Sequence, residues 1–193
     1  MRDVMESGEI ETPRLRLRRW SDGDFEAFVA IHADPEVMRF YANDRPFTRE
    51  EATAAFKTIL DHWAQYGYGL WVAEERETGE MIGRIGLTNQ VDFPAPNKVE
   101  VGWMLARSKW GRGLATEGAR VVIRYAFEVL GVPTVISISR PQNSASIRVM
   151  QRCGLTLRGA THWRGHDVVW YAIERGEYEE TTARPPFPVG ERQ

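Results

Sequence analysis

The chain has 193 residues, 42% of them hydrophobic, with 25 lysines and arginines against 27 aspartates and glutamates. That length buries one sizeable core and leaves a second full domain cramped, while a net charge of -2 and a pI near 6.1 give no reason to expect nucleic acid as a partner. One cysteine makes no internal disulfide and no apolar run reaches membrane-spanning length, which excludes a disulfide scaffold and a membrane partner and leads us to expect a cytoplasmic protein.

Residues 1–9 are too polar for a signal peptide and read as a tail. Over 14–19, Leu15 and Leu17 alternate with arginines, the pattern of a strand with one wet face. Ser21 and Asp24 open a helix in capping fashion, with Phe25, Phe28, Val29 and His32 along its inner stripe. A further helix starts at its N-cap Thr48, carries Glu50 and Glu51 in its first turn, and runs to about Trp63. Strands over 70–75 and 81–88 form a hairpin turning near Thr78-Gly79, and 91–98, with two prolines, forms a loop. From 99 to 105 one strand face carries Val99, Val101, Trp103 and Leu105, the other Glu100, Gly102 and Met104.

The long helix that follows, from about Gly113 to Leu130, buries a stripe of Leu114, Gly118, Val122, Ala126 and Val129. It exposes Glu117, Arg120, Arg124 and Glu128 at ion-pair spacing and ends at Gly131 and Pro133. Then come a strand over 134–139, a short helix over 144–153 and two antiparallel strands around 162–167. We expect one domain over 10–178 and an extension over 179–193, its last ten residues loose and proline-rich. Strand, helix and strand over 99–139 form a parallel crossover unit, which is right-handed in nearly all proteins.

Inside that unit, Trp110-Gly111-Arg112-Gly113-Leu114-Ala115 leads into the long helix. Gly111 and Gly113 allow turn dihedrals and close approach of a ligand, and the first helical N–H groups, with the helix dipole, make a socket for an anion. No Walker lysine follows, and a dinucleotide fingerprint fails because its third glycine position holds Thr116. On these residues alone, an ordinary tight turn into a helix remains the alternative.

Glu100-Val101-Gly102-Trp103 followed by Trp110-Gly111-Arg112-Gly113-Leu114-Ala115-Thr116-Glu117 resembles the acyl-CoA pyrophosphate motif of the GNAT superfamily of N-acetyltransferases. Within it, the chain most resembles the RimJ/RimL-type branch, the ribosomal-protein alanine N-acetyltransferases. Asn143-Ser144-Ala145-Ser146, with Met150 through Cys153-Gly154-Leu155, is similar to that branch's second signature. Thr12-Pro13-Arg14-Leu15-Arg16-Leu17 and Asp34-Pro35-Glu36-Val37-Met38-Arg39-Phe40 are similar to its beginning, so the resemblance covers about 11–174.

The resemblance implies an α/β protein of the α+β GNAT fold: a mixed, mostly antiparallel central sheet with a splayed parallel strand pair, flanked by about four helices. It implies transfer of acetyl from acetyl-CoA to a primary amine, on a protein N-terminus or a small molecule, by direct attack in a ternary complex. The CoA site would comprise Trp103, Met104, Leu105, Trp110, Gly111, Arg112, Gly113, Leu114, Ala115, Thr116, Asn143 and Ser146. Arg112 would meet the pyrophosphate, and backbone N–H groups near Met104 and Leu105 would stabilise the oxyanion. Glu100 is the candidate base, directly or through water, against the alternatives of an exposed strand glutamate or a counter-charge for the amine.

Many members of the superfamily protonate the thiolate with a tyrosine, where this chain has Met150, which cannot donate; the branch has a serine at Ser146, near the CoA sulfur. Phe40, Tyr41 and Tyr68 belong to the region that lines the acceptor mouth in the family. A different donor such as succinyl-CoA, or a CoA-binding module without turnover, are the rival readings, the latter favoured by Met150. No metal is expected, because His162-x-x-x-His166-Asp167 flanks a hairpin glycine, Gly165, where that spacing does not converge. Cys153 reads as a packed thiol, and pairing of two copies through the exposed tail region is left open.

Overall fold

The computed structural model describes residues 8–41 and 44–183. The expected tails over 1–9 and 179–193 therefore lie largely outside the described residues. The elements in order are β1 (Ile10–Glu11), β2 (Leu15–Arg18), a 3-10 turn (Asp22–Asp24), α1 (Phe25–His32), α2 (Pro35–Met38), α3 (Arg49–Tyr66), β3 (Leu70–Glu75), β4 (Glu80–Asn89) and β5 (Val99–Leu105). A second 3-10 turn (Arg107–Lys109) leads to α4 (Leu114–Glu128), β6 (Thr134–Ser139), α5 (Ser144–Arg152), β7 (Thr156–Trp163), β8 (His166–Glu174) and α6 (Arg175–Ala183).

Local chemistry sets these bounds. Thr48 and Glu51 cap α3 reciprocally: the Thr48 hydroxyl accepts from the Glu51 N–H at 3.2 Å, and the Glu51 carboxylate accepts from the Thr48 N–H at 2.8 Å. Gly67, at φ 71°, ends that helix in the left-handed conformation. Two helices and the short strand β1 go beyond the sequence reading. Asp34 caps the four-residue α2 through the Glu36 N–H, and α6 runs across position 178, where Tyr178 stacks on Phe127 at 4.7 Å and donates to Glu128 at 2.8 Å. With these, six helices flank the sheet among the described residues, in place of about four.

The eight strands form one sheet in the order β1-β2-β3-β4-β5-β6-β8-β7, antiparallel everywhere except between β5 and β6. The main core gathers Leu15, Leu17, Phe28, Trp71, Ile85, Leu87 and the α4 stripe. Leu114, Gly118, Val122 and Ala126 of that stripe are buried as expected. Gly118 is there because α4 lies tight on β4: a Cβ would stand 2.4 Å from Ile85 Cδ1. Of the expected ion-pair row, Arg124 meets Glu128 at 3.5 Å, whereas Glu117 reaches to Arg14 and Arg120 to the Arg152 carbonyl.

The loop before β5 is anchored. Phe93 is fully buried, edge-on to Trp163 and Trp170 at 5.2 and 6.1 Å, and forms a second cluster with Ala95, Ile136, Val168 and Ala172. Its apolar anchors sit between prolines and polar residues, a pattern without strand or helix period, which is why the sequence reading sees only a loop.

Candidate active site

The parallel pair breaks open soon after it forms. β5 and β6 register at one position, Glu100 opposite Ile136. A continuing parallel ladder would next join the Ile138 N–H to the Val101 carbonyl. Two side chains replace that rung: the Ser137 hydroxyl donates to the Val101 carbonyl at 2.9 Å, and Glu100 Oε1 accepts from the Ile138 N–H at 3.3 Å. Both backbone groups stay satisfied while the strands part, so separation costs no buried unpaired amide. The cleft that opens there has a volume of about 840 Å³.

Register places side chains along its floor. Across β4 and β5, Arg84 pairs with Met104, Gly86 with Gly102, and Thr88 with Glu100, and directly paired residues share a face. A Cβ on Gly102 would meet nothing within 4 Å, so the middle of the floor is clear. At one end, Glu100 Oε2 accepts from Gln90 Nε2 at 2.6 Å and from the Thr88 hydroxyl at 3.2 Å. Burial pushes the Glu100 pKa above the usual carboxylate value, against the hydrogen bonds from Gln90, Ile138 and Thr88.

At the mouth of the splay lies the glycine turn. Gly111 and Gly113 have φ of 73° and 77°, conformations that favour glycine, and no side chain caps α4 at Gly113. The first-turn N–H groups are thereby left to face the cleft, which Gly111, Gly113, Leu114, Ala115 and Thr116 line. The turn is tied down from β2: Arg14 donates to the Arg112 carbonyl at 2.8 Å, and Glu117 accepts from Thr12 Oγ1 at 2.7 Å and from the Arg14 N–H at 2.9 Å. Although burial opposes it, these bonds from Thr12 and Arg14 keep the Glu117 pKa below its ordinary value. Trp110, 48% exposed, lies beside the turn and donates from Nε1 to the Leu105 carbonyl at 2.8 Å.

The charged residues near the turn are largely committed. Arg112 pairs with Glu75 at 2.8 Å and does not line the cleft, and Lys109 bridges Glu75 and Glu80 at 2.8 and 2.7 Å. The socket thus rests on backbone N–H groups and the helix dipole. On the facing side, Asn143 caps α5 by accepting from the Ser146 N–H at 3.1 Å, and both residues line the cleft. Met150 is fully buried in the core.

Trp103, Met104 and Leu105 all line the opening. Because the Val101 carbonyl faces β6, the period of two turns the Trp103 and Leu105 amides toward the splay and the Met104 amide toward β4. Beyond Met104, α1 and α2 cover the floor. Phe40 and Tyr41 line the cleft there with His32 and Arg84, while Tyr68 lies outside the lining, its ring 5.5 Å from that of His62.

Sequence reasoning assigns no role to Arg84 and places His32 only on the inner stripe of its helix. The available signal was an arginine between glycines within the apolar run of β4, Met81-Ile82-Gly83-Arg84-Ile85-Gly86-Leu87. Other expectations concern residues away from the cleft. Burial raises the Cys153 thiol pKa to about 11, that of a packed thiol. Among the described residues no cluster of three metal-ligating side chains occurs, and His162 bonds to Asp167 at 2.9 Å. No described helix is long and apolar enough to cross a membrane.

A sheet with one splayed parallel pair and an uncapped helix start at the opening is the arrangement implied by the resemblance to acyl-CoA-dependent transferases. The model of the acetyltransferase (GNAT) domain family matches residues 14–156, and the chain belongs to this family of acetyltransferases. It is 34% identical over 155 residues to the uncharacterized protein YkkB of Bacillus subtilis strain 168, covering 76% of this chain and 84% of that one. It is 33% identical over 181 residues to the FsC-acetyl coenzyme A-N(2)-transacetylase of Aspergillus fumigatus, covering 91% and 76%. A crystal structure of an acetyltransferase from Agrobacterium tumefaciens str. C58 superposes with a TM-score of 0.76 at 33% identity, covering 86% of this chain and 94% of that one.

Proposed function

We propose that this acetyltransferase is a cytoplasmic enzyme of the RimJ/RimL-type branch that moves acetyl from acetyl-CoA to a primary amine, on a protein N-terminus or a small molecule. The observation that carries this reading is the splay, with a carboxyl group of raised pKa at its root and an uncapped helix start at its mouth. Acetyl-CoA, when bound, supplies the acyl group to be attacked. The residues present fit it: the N–H groups of the turn from Gly111 to Thr116 suit a pyrophosphate, and Asn143 and Ser146 line the wall opposite.

The remaining roles belong to the chain's own groups. Glu100 takes the proton of the attacking amine, directly or through a water, and its raised pKa brings it closer to that of an α-amine, near 8. The Leu105 amide, with that of Trp103, is directed at the opening where negative charge develops. Ser146 holds a hydroxyl proton on the leaving-group side, a duty the buried Met150 cannot perform. Trp110 shapes the turn through its bond to Leu105.

Thermal shift by acetyl-CoA, with a Gly113→Glu variant as control, tests the donor site. Saturable stabilisation that the variant loses is expected, because a carboxylate at φ 77° both strains the turn and repels phosphate. An equal shift in the two proteins overturns the site. Thiol release over a panel of amines and peptides tests turnover. Silence across it, with tight CoA binding, would favour a CoA-binding module, and faster release from succinyl-CoA would change the donor.

A further inference from the structure

Arg84 is 7% exposed, and among the described residues its side chain makes no ion pair and no hydrogen bond. Its Nε is fully enclosed without a partner, and its one described contact is the Tyr41 ring, 5.2 Å from Cζ. The chain thus keeps a nearly enclosed guanidinium on the wall of the cleft without a counter-charge, an arrangement that destabilises a fold. Such a cost persists where a ligand completes the pair.

The position says which ligand. Arg84 lines the cleft and is paired across the sheet with Met104, beside the amides that face the splay. Glu100 stands four residues along the same face, about 13 Å away at roughly 3.3 Å per residue. His32 adds a second unfilled group: its Nδ1 bonds to the Phe28 carbonyl at 2.8 Å, so Nδ1 carries the proton and the buried Nε2 is an acceptor with no partner. His32 packs against both Phe28 and Tyr41, with ring separations of 3.9 Å to Phe28 and 6.3 Å to Tyr41. The other carboxylate on this side, Glu36, is exposed and pairs with no described cation.

We infer that the acceptor is an amine that also bears a carboxylate, held by Arg84 at the end of the cleft opposite Glu100, with an N–H or O–H next to the carboxylate donating to His32 Nε2. A peptide C-terminus has this pairing of N–H and carboxylate. The buried cation equally disfavours a polycationic acceptor. This inference rests on the proposed acetyl transfer and deepens it, by naming the chemistry of the second substrate.

The test compares acid and amide pairs as acceptors: glycine and glycinamide, glycylglycine and its amide, triglycine and its amide. Acetylation is followed by thiol release, and binding by thermal shift. In the wild type, at least one acid should exceed its amide 10-fold or more in kcat/KM, chiefly through KM. Arg84→Met should abolish that preference, keep the acetyl-CoA shift, and melt no lower than the wild type, because it removes an uncompensated buried charge. Arg84→Lys should retain part of the preference.

Equal use of acid and amide by the wild type would overturn the inference. So would an Arg84→Met protein that melts lower and loses acid and amide alike, which would make Arg84 a structural residue. If no amine is acetylated but an acid stabilises the wild type and not Arg84→Met, the carboxylate site stands and acetyl transfer fails. If no acid is either bound or acetylated, the site fails.

Discussion

His32 makes the stability of this protein depend on pH in a way that can be worked out beforehand. The ring is 2% exposed, tilted against Phe28 and stacked on Phe47. Burial, and after it the charge of Arg84, push its pKa from 6.5 down to about 3. In the unfolded chain the imidazole takes up a proton near pH 6.5, whereas in the folded protein it stays neutral until about pH 3. The folded-state pKa is depressed, so the stabilisation is fully present above pH 6.5 and is lost as pH falls toward 3. The slope approaches about 1.4 kcal/mol per pH unit. Between pH 7 and pH 5 the loss from His32 alone is about 2 kcal/mol, set almost wholly by the unfolded-state pKa. Urea unfolding at both pH values, in the wild type and in His32→Gln, isolates it. His62, whose pKa burial also lowers, acts in the same direction in both proteins and cancels. If the two proteins lose stability equally between pH 7 and pH 5, within about 0.5 kcal/mol, His32 is not a buried neutral histidine and the reasoning fails.

Glu100→Gln should lower kcat by about 10²–10⁴-fold with little change in acetyl-CoA affinity. Because burial raises the Glu100 pKa, the wild-type kcat/KM should rise with pH along a limb above the usual carboxylate range, and a pH–rate profile of the variant should lack it. Gly118→Ala should cost up to about 2 kcal/mol in urea unfolding, the clash of the added methyl with Ile85 Cδ1 at 2.4 Å outweighing the gain of about 1 kcal/mol from alanine's better helix propensity. Cys153, with its thiol pKa raised to about 11, should react with iodoacetamide at pH 7.5 far more slowly than a free cysteine does, as followed by mass spectrometry; rapid labelling would contradict its packing.

Much of this architecture is legible in the sequence because local signals agree with the global fold. The Thr48 capping box, the α4 stripe and the alternation of 99–105 each specify an element that the structure contains. The glycine turn is legible for the same reason: only left-handed backbone at Gly111 and Gly113 makes that turn into α4. Long-range pairings are not. Nothing local in Glu100, Ser137 and Ile138 says that two side chains will stand in for a backbone rung, since the partners are 36 and 38 residues apart. Arg112 shows the same limit: a cation beside a phosphate-type turn suggests a phosphate contact, yet Glu75 on β3 engages it. Arg84 is visible in the sequence only as a misplaced charge, and its lack of a partner emerges once every neighbouring carboxylate has been located.

The substituted rung also has a mechanical meaning. Strands β1 to β5 and strands β6, β8 and β7 are two leaves of one sheet, sewn together at a single backbone stitch beside Glu100. A sheet so joined has a seam, and hydrogen exchange should reveal it as two blocks of amides with separate opening energies. A ligand lodged in the seam touches both leaves, so its binding energy is drawn into holding them together. Occupancy would then be read as cooperativity, with two opening transitions fusing into one.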